Sequence, residues 1–210
     1  MKKPESLAAL EELGRVRLSS SFFMRDFLYS EISNLHGMPN IPDDPDLAIE
    51  VGKHLCEELL EPLNATFGRI AIRSAYRSSE LNSYGNKMTK EGKGRYNCAQ
   101  NEKNYAYHIW DRRDSEGGKG AAACIVIPWF AGRYANGTDW RSLAYWIHDH
   151  LPYSEMEFFS KLCAFNLSWH ERPKKQVSSY IAPKKPLALD SGAKDTRLSS
   201  YADFPKLRSR

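Results

Sequence analysis

The chain is poor in cysteine and has no long apolar run. Its four cysteines lie far apart and form no Cys-x-x-Cys pair, so neither a disulfide framework nor a zinc finger is supported. The longest apolar stretch, residues 120–130, is well short of the roughly 20 residues that a membrane-spanning helix needs. The sequence therefore predicts a protein of a reducing compartment with no membrane-spanning segment.

The first residues also lack the pattern of a secretory signal. Met1 is followed by two lysines, but Glu5, Glu11 and Glu12 stand where the apolar segment of a signal peptide would have to be. We therefore expect a cytoplasmic protein with no membrane partner.

The apolar content is sufficient for one folded domain. The chain has 210 residues, of which 41% are hydrophobic and 12% aromatic, and this length is typical of one domain with or without a tail. The charge is uneven, because residues 172–210 hold ten Lys or Arg and three Asp, a net charge of +7, against −3 for residues 1–171. We predict an N-terminal helical extension (residues 1–17), one domain (18–180) and an extended basic tail rich in Pro, Ser and Lys (181–210).

Apolar periodicity predicts the main elements. Leucine and valine recur every four residues after Asp44 and Pro45 until Gly68, which predicts one long helix. The region 82–119 is rich in Gly, Asn and Lys and is predicted to be a long loop. Short apolar runs predict strands over residues 70–75, 121–128, 156–159 and 164–169. This order of elements indicates an α+β domain with a small antiparallel or mixed sheet packed against helices.

Several motifs follow one another in an order that is typical of a known family. The most specific is Ile72-Arg73-Ser74-Ala75-Tyr76-Arg77-Ser78-x-Glu80-Leu81-Asn82. The others are Leu18-Ser19-x-x-Phe22, Glu58-Leu59-Leu60-Glu61-Pro62-Leu63, Tyr107-His108, Gly120-Ala121-Ala122-Ala123, Leu151-Pro152-Tyr153, Leu167-Ser168-Trp169 and Pro173-Lys174-Lys175-Gln176-Val177. With these motifs the chain resembles the zinc D-Ala-D-Ala carboxypeptidases and their Hedgehog-type relatives, particularly the compact bacterial and phage branch. The resemblance implies that family's fold.

The resemblance also implies where a metal site would lie. In the family, zinc is held by a His, an Asp seven residues later and a second His on a late strand, and a nearby Glu acts as general base. Three ligands leave one position open for water, whose pKa the ion lowers before the carboxylate takes the proton. At the matching positions this chain has His108, Cys124, Asn166 and Phe159. We expect the first three to converge on one cleft near Arg77.

A rearranged metal site is an alternative. Cys124 as a thiolate is a competent zinc ligand, His170 lies four residues beyond Asn166, and Glu157, two residues before Phe159, is a candidate catalytic base. Asn166 and His170 share one face of a strand, but they are about 13 Å apart at roughly 3.3 Å per residue. His170 could replace Asn166 only if the strand contained a bulge. We expect no cofactor, with zinc as the alternative.

Arg77, with its neighbours Tyr76 and Ser78, is implied by the resemblance to bind substrate. An arginine at this place in the family lies beside the free carboxylate of the substrate, a role that suits a planar and bidentate cation. The alternative interpretation is that Arg77 forms an internal salt bridge that orders the loop after the strand.

Three functions follow from these observations. The first is a peptidase-like protein that binds a peptide or peptidoglycan-like ligand without catalysis, because the metal and base positions are substituted. The second is an active zinc-dependent cell-wall peptidase of the D,D-carboxypeptidase type, phage-encoded or bacterial, with a rearranged site. The third is a nucleic-acid-associated protein whose basic tail contacts a polyanion.

Overall fold

The computed structural model describes residues 1–93, 96–182, 184, 187, 189 and 194–208, with only the backbone for residues 194–196. In chain order the helices are α1 (Leu7–Arg15), α2 (Glu31–His36), α3 (Pro45–Leu55), α4 (Glu61–Phe67), α5 (Ser79–Lys90), α6 (Asn101–Asn104), α7 (Pro128–Ala135), α8 (Trp140–His150) and α9 (Lys194–Ser199). The strands are β1 (Ala71–Ser74), β2 (Gly120–Val126), β3 (Glu155–Phe158), β4 (Phe165–His170) and β5 (Gln176–Ser179).

The strands form one mixed sheet in the order β1-β2-β4-β3-β5. The pairs β1–β2, β2–β4 and β4–β3 are antiparallel, and β5 runs parallel to β3. Helix α3 packs on β2 and β4. The predicted α+β class, with a mixed sheet packed against helices, is therefore confirmed.

The long predicted helix is present, with one irregularity. The Asp44 side chain accepts a hydrogen bond from Leu47 N and caps α3, with Pro45 in the first turn. A π-helical turn at Cys56–Leu60 joins α3 to α4, which ends at Gly68 with φ 83°. A positive φ favours glycine because it has no Cβ, and this explains why the helix ends there.

The prediction of a long loop over residues 82–119 is wrong for its first part. Helix α5 begins after Ser78, whose Oγ accepts a hydrogen bond from Leu81 N. The helix buries only Leu81, Asn82 and Gly85, so its apolar stripe is too short to show a helical period. The short α6 lies in the same region.

The prediction of an extended, weakly packed tail is also corrected in the part of the tail that the structure describes. Tyr201 and Phe204, which we call the C-terminal anchor, are 7% and 9% exposed and belong to the main hydrophobic core. The Phe204 ring centroid lies 5.1 Å from that of Trp129, and the Tyr201 hydroxyl donates to Asp149 at 2.6 Å. Arg197 pairs with the same carboxylate at 2.9 Å. Aromatic packing outweighs the unfavourable composition of this segment.

The N-terminal extension shares the core of the domain. Ser6 caps α1 by accepting a hydrogen bond from Ala9 N, and Leu13 of this helix is fully buried in the main core. Among the helices of the described ranges, none combines the length and the apolar content that crossing a bilayer requires.

Candidate functional site

The sheet has one face in the core and one face in a cleft. Along β4, Phe165 and Leu167 point into the core, whereas Asn166, Ser168 and His170 line the cleft. This follows from the two-residue period of a strand. The cleft has a volume of about 1670 Å³ and is also lined by β1, β3 and the segment that carries His108.

Strand register brings three polar side chains into one row across the sheet. Cys124 of β2 pairs with Asn166 of β4, and Asn166 pairs with Glu157 of β3. The Asn166 amide donates to Glu157 Oε2 at 3.1 Å. Burial raises the pKa of Glu157, and the bond from Asn166 opposes this effect. Glu157 is half-buried, and the row continues to Ser178 of β5.

His108 is held above this row by backbone hydrogen bonds. Arg77 N donates to His108 O at 2.8 Å, and Ala122 N donates to Tyr107 O at 2.7 Å. The segment can lie this close to β2 because residue 120 is glycine, where a Cβ would come within 2.4 Å of the Ala106 carbonyl oxygen. The chain therefore fixes the imidazole against the sheet before any ligand arrives.

The protonation of His108 follows from its contacts. Its Nδ1 lies 2.8 Å from Ala75 O, and a carbonyl can only accept, so Nδ1 carries the proton. Burial, together with the nearby Arg77 cation, lowers the pKa of His108 to about 3. The ring is therefore neutral at physiological pH. Its Nε2 carries no proton, and the side chains of Arg77 and Asn166 lie close enough to the ring to act on its pKa.

Cys124 is a buried, neutral thiol. It is 6% exposed, and burial raises the pKa of the thiol, an effect that the nearby Arg73 cation opposes. A thiol with a raised pKa is a poor nucleophile, because nucleophilic attack requires the thiolate. The guanidiniums of Arg73 and Arg77 are both close enough to act on this pKa.

Arg73 and Arg77 are two of the cationic residues that line the cleft. Arg77 Nη1 donates to Asn82 Oδ1 at 3.1 Å and to Cys98 Sγ at 2.8 Å. Within the described ranges neither Arg73 nor Arg77 pairs with a carboxylate. The internal salt bridge considered for Arg77 is not formed among these residues.

The neighbours of Arg77 have structural contacts. Tyr76 is fully buried, its ring lies 6.2 Å from that of Trp110, and its N–H donates to Phe27 O. Ser78 caps α5 and is 8% exposed. Of the three residues that the resemblance assigns to substrate, Arg77 and Tyr76 line the cleft.

His170 is not brought to Cys124. The β2–β4 register pairs it with Gly120, four positions from the Cys124 pair. Its Nε2 lies 3.1 Å from Asp114 Oδ2, and its Nδ1 accepts from Arg172 N at 3.0 Å. Both ring nitrogens are therefore occupied, and the rearranged site of His108, Cys124 and His170 is not assembled.

The donors in the cleft do not fit a zinc ion. His108 Nε2 and the Cys124 thiol are possible donors, but Asn166 offers only an amide, and the guanidiniums of Arg73 and Arg77 lie near them. Zinc sites use thiolate, imidazole and carboxylate, and nearby cations oppose a dication. Across the part of the chain that the structure describes, no group of three or more His, Cys, Asp or Glu is arranged to hold a metal.

Phe159 and Arg73 complete the site. Phe159, at the position that the resemblance assigns to the general base, is partly buried and stacks on Tyr180 with ring centroids 5.4 Å apart. Sequence reasoning missed Arg73, although its alternation with Ile72 in β1 was a signal that it faces away from the core.

Comparison of the chain with models of protein families, with curated proteins and with solved structures gives no significant match.

Proposed function

We propose that the chain is a binding protein with a peptidase-like fold, whose cleft holds the free carboxylate of a peptide or peptidoglycan-like ligand without hydrolysing it. The observation that carries the proposal is that Arg73 and Arg77 line the cleft beside a neutral histidine and a neutral thiol, with no carboxylate partner among the described residues. The motif order of the sequence supports the peptidase-like part of the proposal.

Carboxylate recognition follows from charge and geometry. A guanidinium presents fixed parallel N–H donors that match the two oxygens of a carboxylate. Arg77 is half-buried, so its attraction for an anion is less screened than at an exposed site. Its bonds to Asn82 and Cys98 use Nη1, which holds the group in one orientation while its other N–H donors stay available.

The residues at the metal and base positions do not support hydrolysis. Water activation by a metal needs ligands that hold the ion and a base that accepts the proton. Of the three metal positions, His108 and Cys124 carry possible donors and Asn166 carries an amide, and the base position carries Phe159. The Glu157 carboxylate accepts a hydrogen bond from Asn166, so this bond occupies part of its capacity to accept a proton.

A titration with matched peptides tests the proposal. We would titrate the labelled protein, by nuclear magnetic resonance, with an N-acetylated tripeptide that ends in a free carboxylate and with the same peptide amidated at its C-terminus. The free acid should bind at least tenfold more tightly, since a charge-assisted hydrogen bond contributes about 1.5–3 kcal/mol. Equal binding of acid and amide would overturn the proposal.

Variants of the arginines provide the control. Arg77→Gln and Arg73→Gln should each weaken binding of the acid, and Arg77→Lys should restore it only in part because it loses the bidentate geometry. Arg69→Gln is the matched control, because Arg69 is exposed, precedes β1 and does not line the cleft. Thermal unfolding of each variant separates loss of binding from loss of fold.

A further inference from the structure

An aromatic pair forms part of the wall of the cleft that Arg73 and Arg77 also line. Phe159 follows β3 and Tyr180 follows β5, and these strands run parallel with Phe158 opposite Ser179. Residues that follow two paired parallel strands lie side by side, so the two rings meet with centroids 5.4 Å apart and planes at 14°. We call Phe159 and Tyr180 the aromatic plate.

The backbone fixes the aromatic plate. Phe159 N donates to Ala164 O at 2.7 Å, and Tyr180 N donates to Phe158 O at 2.8 Å. Phe159 packs against a small apolar cluster of Cys124, Val126 and Ala164, which is separate from the main core. Tyr180 remains 54% exposed although its ring lines the cleft.

The plate and the cations share one neighbour. Cys124 belongs to the apolar cluster that packs against Phe159, and Arg73 lies close enough to the same thiol to lower its pKa. A ligand whose carboxylate meets the arginines therefore has an apolar surface within reach of the group next to that carboxylate. In a peptide, that group is the side chain of the C-terminal residue.

We infer that the cleft selects peptides whose C-terminal residue carries an aromatic or large aliphatic side chain, which packs on the aromatic plate. The inference rests on the proposed function, since the carboxylate sets the position of the side chain. An exposed, ordered aromatic surface inside a cleft gains contact with a ring or a branched chain, whereas an alanine methyl group covers little of it. Charge complementarity at the arginines commits the site to a peptide with a free C-terminus.

The experiment is a titration with a peptide series that differs only at the last residue. N-acetyl-Lys-Ala-Phe, N-acetyl-Lys-Ala-Leu and N-acetyl-Lys-Ala-Ala would be compared as free acids and as amides. We expect the Phe and Leu acids to bind about five- to tenfold more tightly than the Ala acid, the range expected for aromatic and apolar contact. The amides should bind weakly in every case.

Variants separate the plate from the rest of the cleft. Tyr180→Ala should reduce the preference for Phe over Ala to about twofold or less, and Tyr180→Phe should keep it. Tyr29→Ala is the matched control, since Tyr29 is a similarly exposed tyrosine, at 57%, that lines the cleft outside the plate. Tyr180 is a surface residue, so its truncation leaves the core intact.

The outcomes distinguish the two proposals. If acids bind and amides do not, but the Ala peptide binds as tightly as the Phe peptide, the proposed function stands and the selectivity is overturned. If Tyr180→Ala leaves the preference unchanged, the plate is not its cause and the inference also fails. If the amides bind as tightly as the acids, the proposed function itself is overturned.

Discussion

The C-terminal anchor makes the end of the chain a measurable part of the fold. Phe204 is 9% exposed, and its ring contacts those of Trp129, Phe130 and Phe67 with centroids 5.1, 5.8 and 6.1 Å away. Truncating a buried Phe to Ala typically destabilises by about 3–5 kcal/mol. Because Phe204 lies at the border of the core, we expect about 3 kcal/mol for Phe204→Ala. In a domain of this length that lowers the thermal midpoint by about 6–12 °C.

Thermal unfolding followed by circular dichroism measures this effect. Leu207→Ala is the matched control, because Leu207 lies three residues further on and is 40% exposed; it should change stability by no more than about 0.5 kcal/mol. A midpoint for Phe204→Ala within about 2 °C of the control variant would refute the packing of this segment. It would instead support the weakly packed tail that composition predicts.

Three further outcomes are expected. Protein purified without chelator should contain no stoichiometric zinc by elemental analysis, and Cys124→Asp with Asn166→His should acquire it, because two good ligands then join His108. A full equivalent of zinc in the wild type would contradict the argument that these donors do not fit zinc. Burial lowers the pKa of His108 from its usual 6.5 to about 3. Between pH 6.5 and about pH 3, the unfolded chain therefore binds a proton on this histidine and the folded chain does not. The free energy of unfolding should therefore fall as pH drops through this window. Urea unfolding at about pH 7 and about pH 5 should show a smaller fall for His108→Gln than for the wild type. An identical fall in the two proteins would exclude His108 as the cause. All four cysteines are buried, so a thiol-specific dye should react slowly with native protein and rapidly after denaturation; one fast thiol in the native state would contradict this.

The elements that sequence reasoning predicted correctly are those with local apolar periodicity. The helix after Asp44 and the strand over residues 121–128 each carry a dense apolar pattern, and the structure places α3 and β2 there. Helix α5 was missed because most of its residues are polar and few are buried. Strand β5 was missed because Val177 is its only buried residue.

Contacts between distant residues explain the other differences. Nothing near Tyr201 and Phe204 in the sequence reveals the aromatic rings that surround them, since those rings come from α4, α7 and α8. The aromatic plate was equally hidden, because Phe159 and Tyr180 meet only through the parallel pairing of β3 with β5. Pattern alone cannot specify such a pairing.

The predicted site positions depended on the motif order, and the structure brings His108, Cys124, Asn166 and Arg77 to one cleft. It also explains why His170 stands apart: β4 pairs regularly with β2 from Phe165 to His170, and no bulge shortens the distance. The roles of these residues remain proposals. The protonation state of His108 could not be predicted from the sequence, because its pKa depends on burial and on the Ala75 carbonyl from another segment.

The substitutions at the metal positions act together on the charge of the cleft. A zinc site of the kind that the resemblance implies contains carboxylates, whose negative charge would pair with nearby guanidiniums. In this chain a thiol stands at the position of the Asp ligand, an amide at that of the second His and a phenyl ring at that of the base. Glu157, one of several carboxylates that line the cleft, is bonded to Asn166. Under the proposed function, Arg73 and Arg77, which pair with no carboxylate among the described residues, attract an anion from solution, and the phenyl ring adds an apolar surface to the same cleft. We therefore propose that the residues at the positions which the resemblance assigns to a metal and a base favour the binding of a carboxylate that carries a large apolar group.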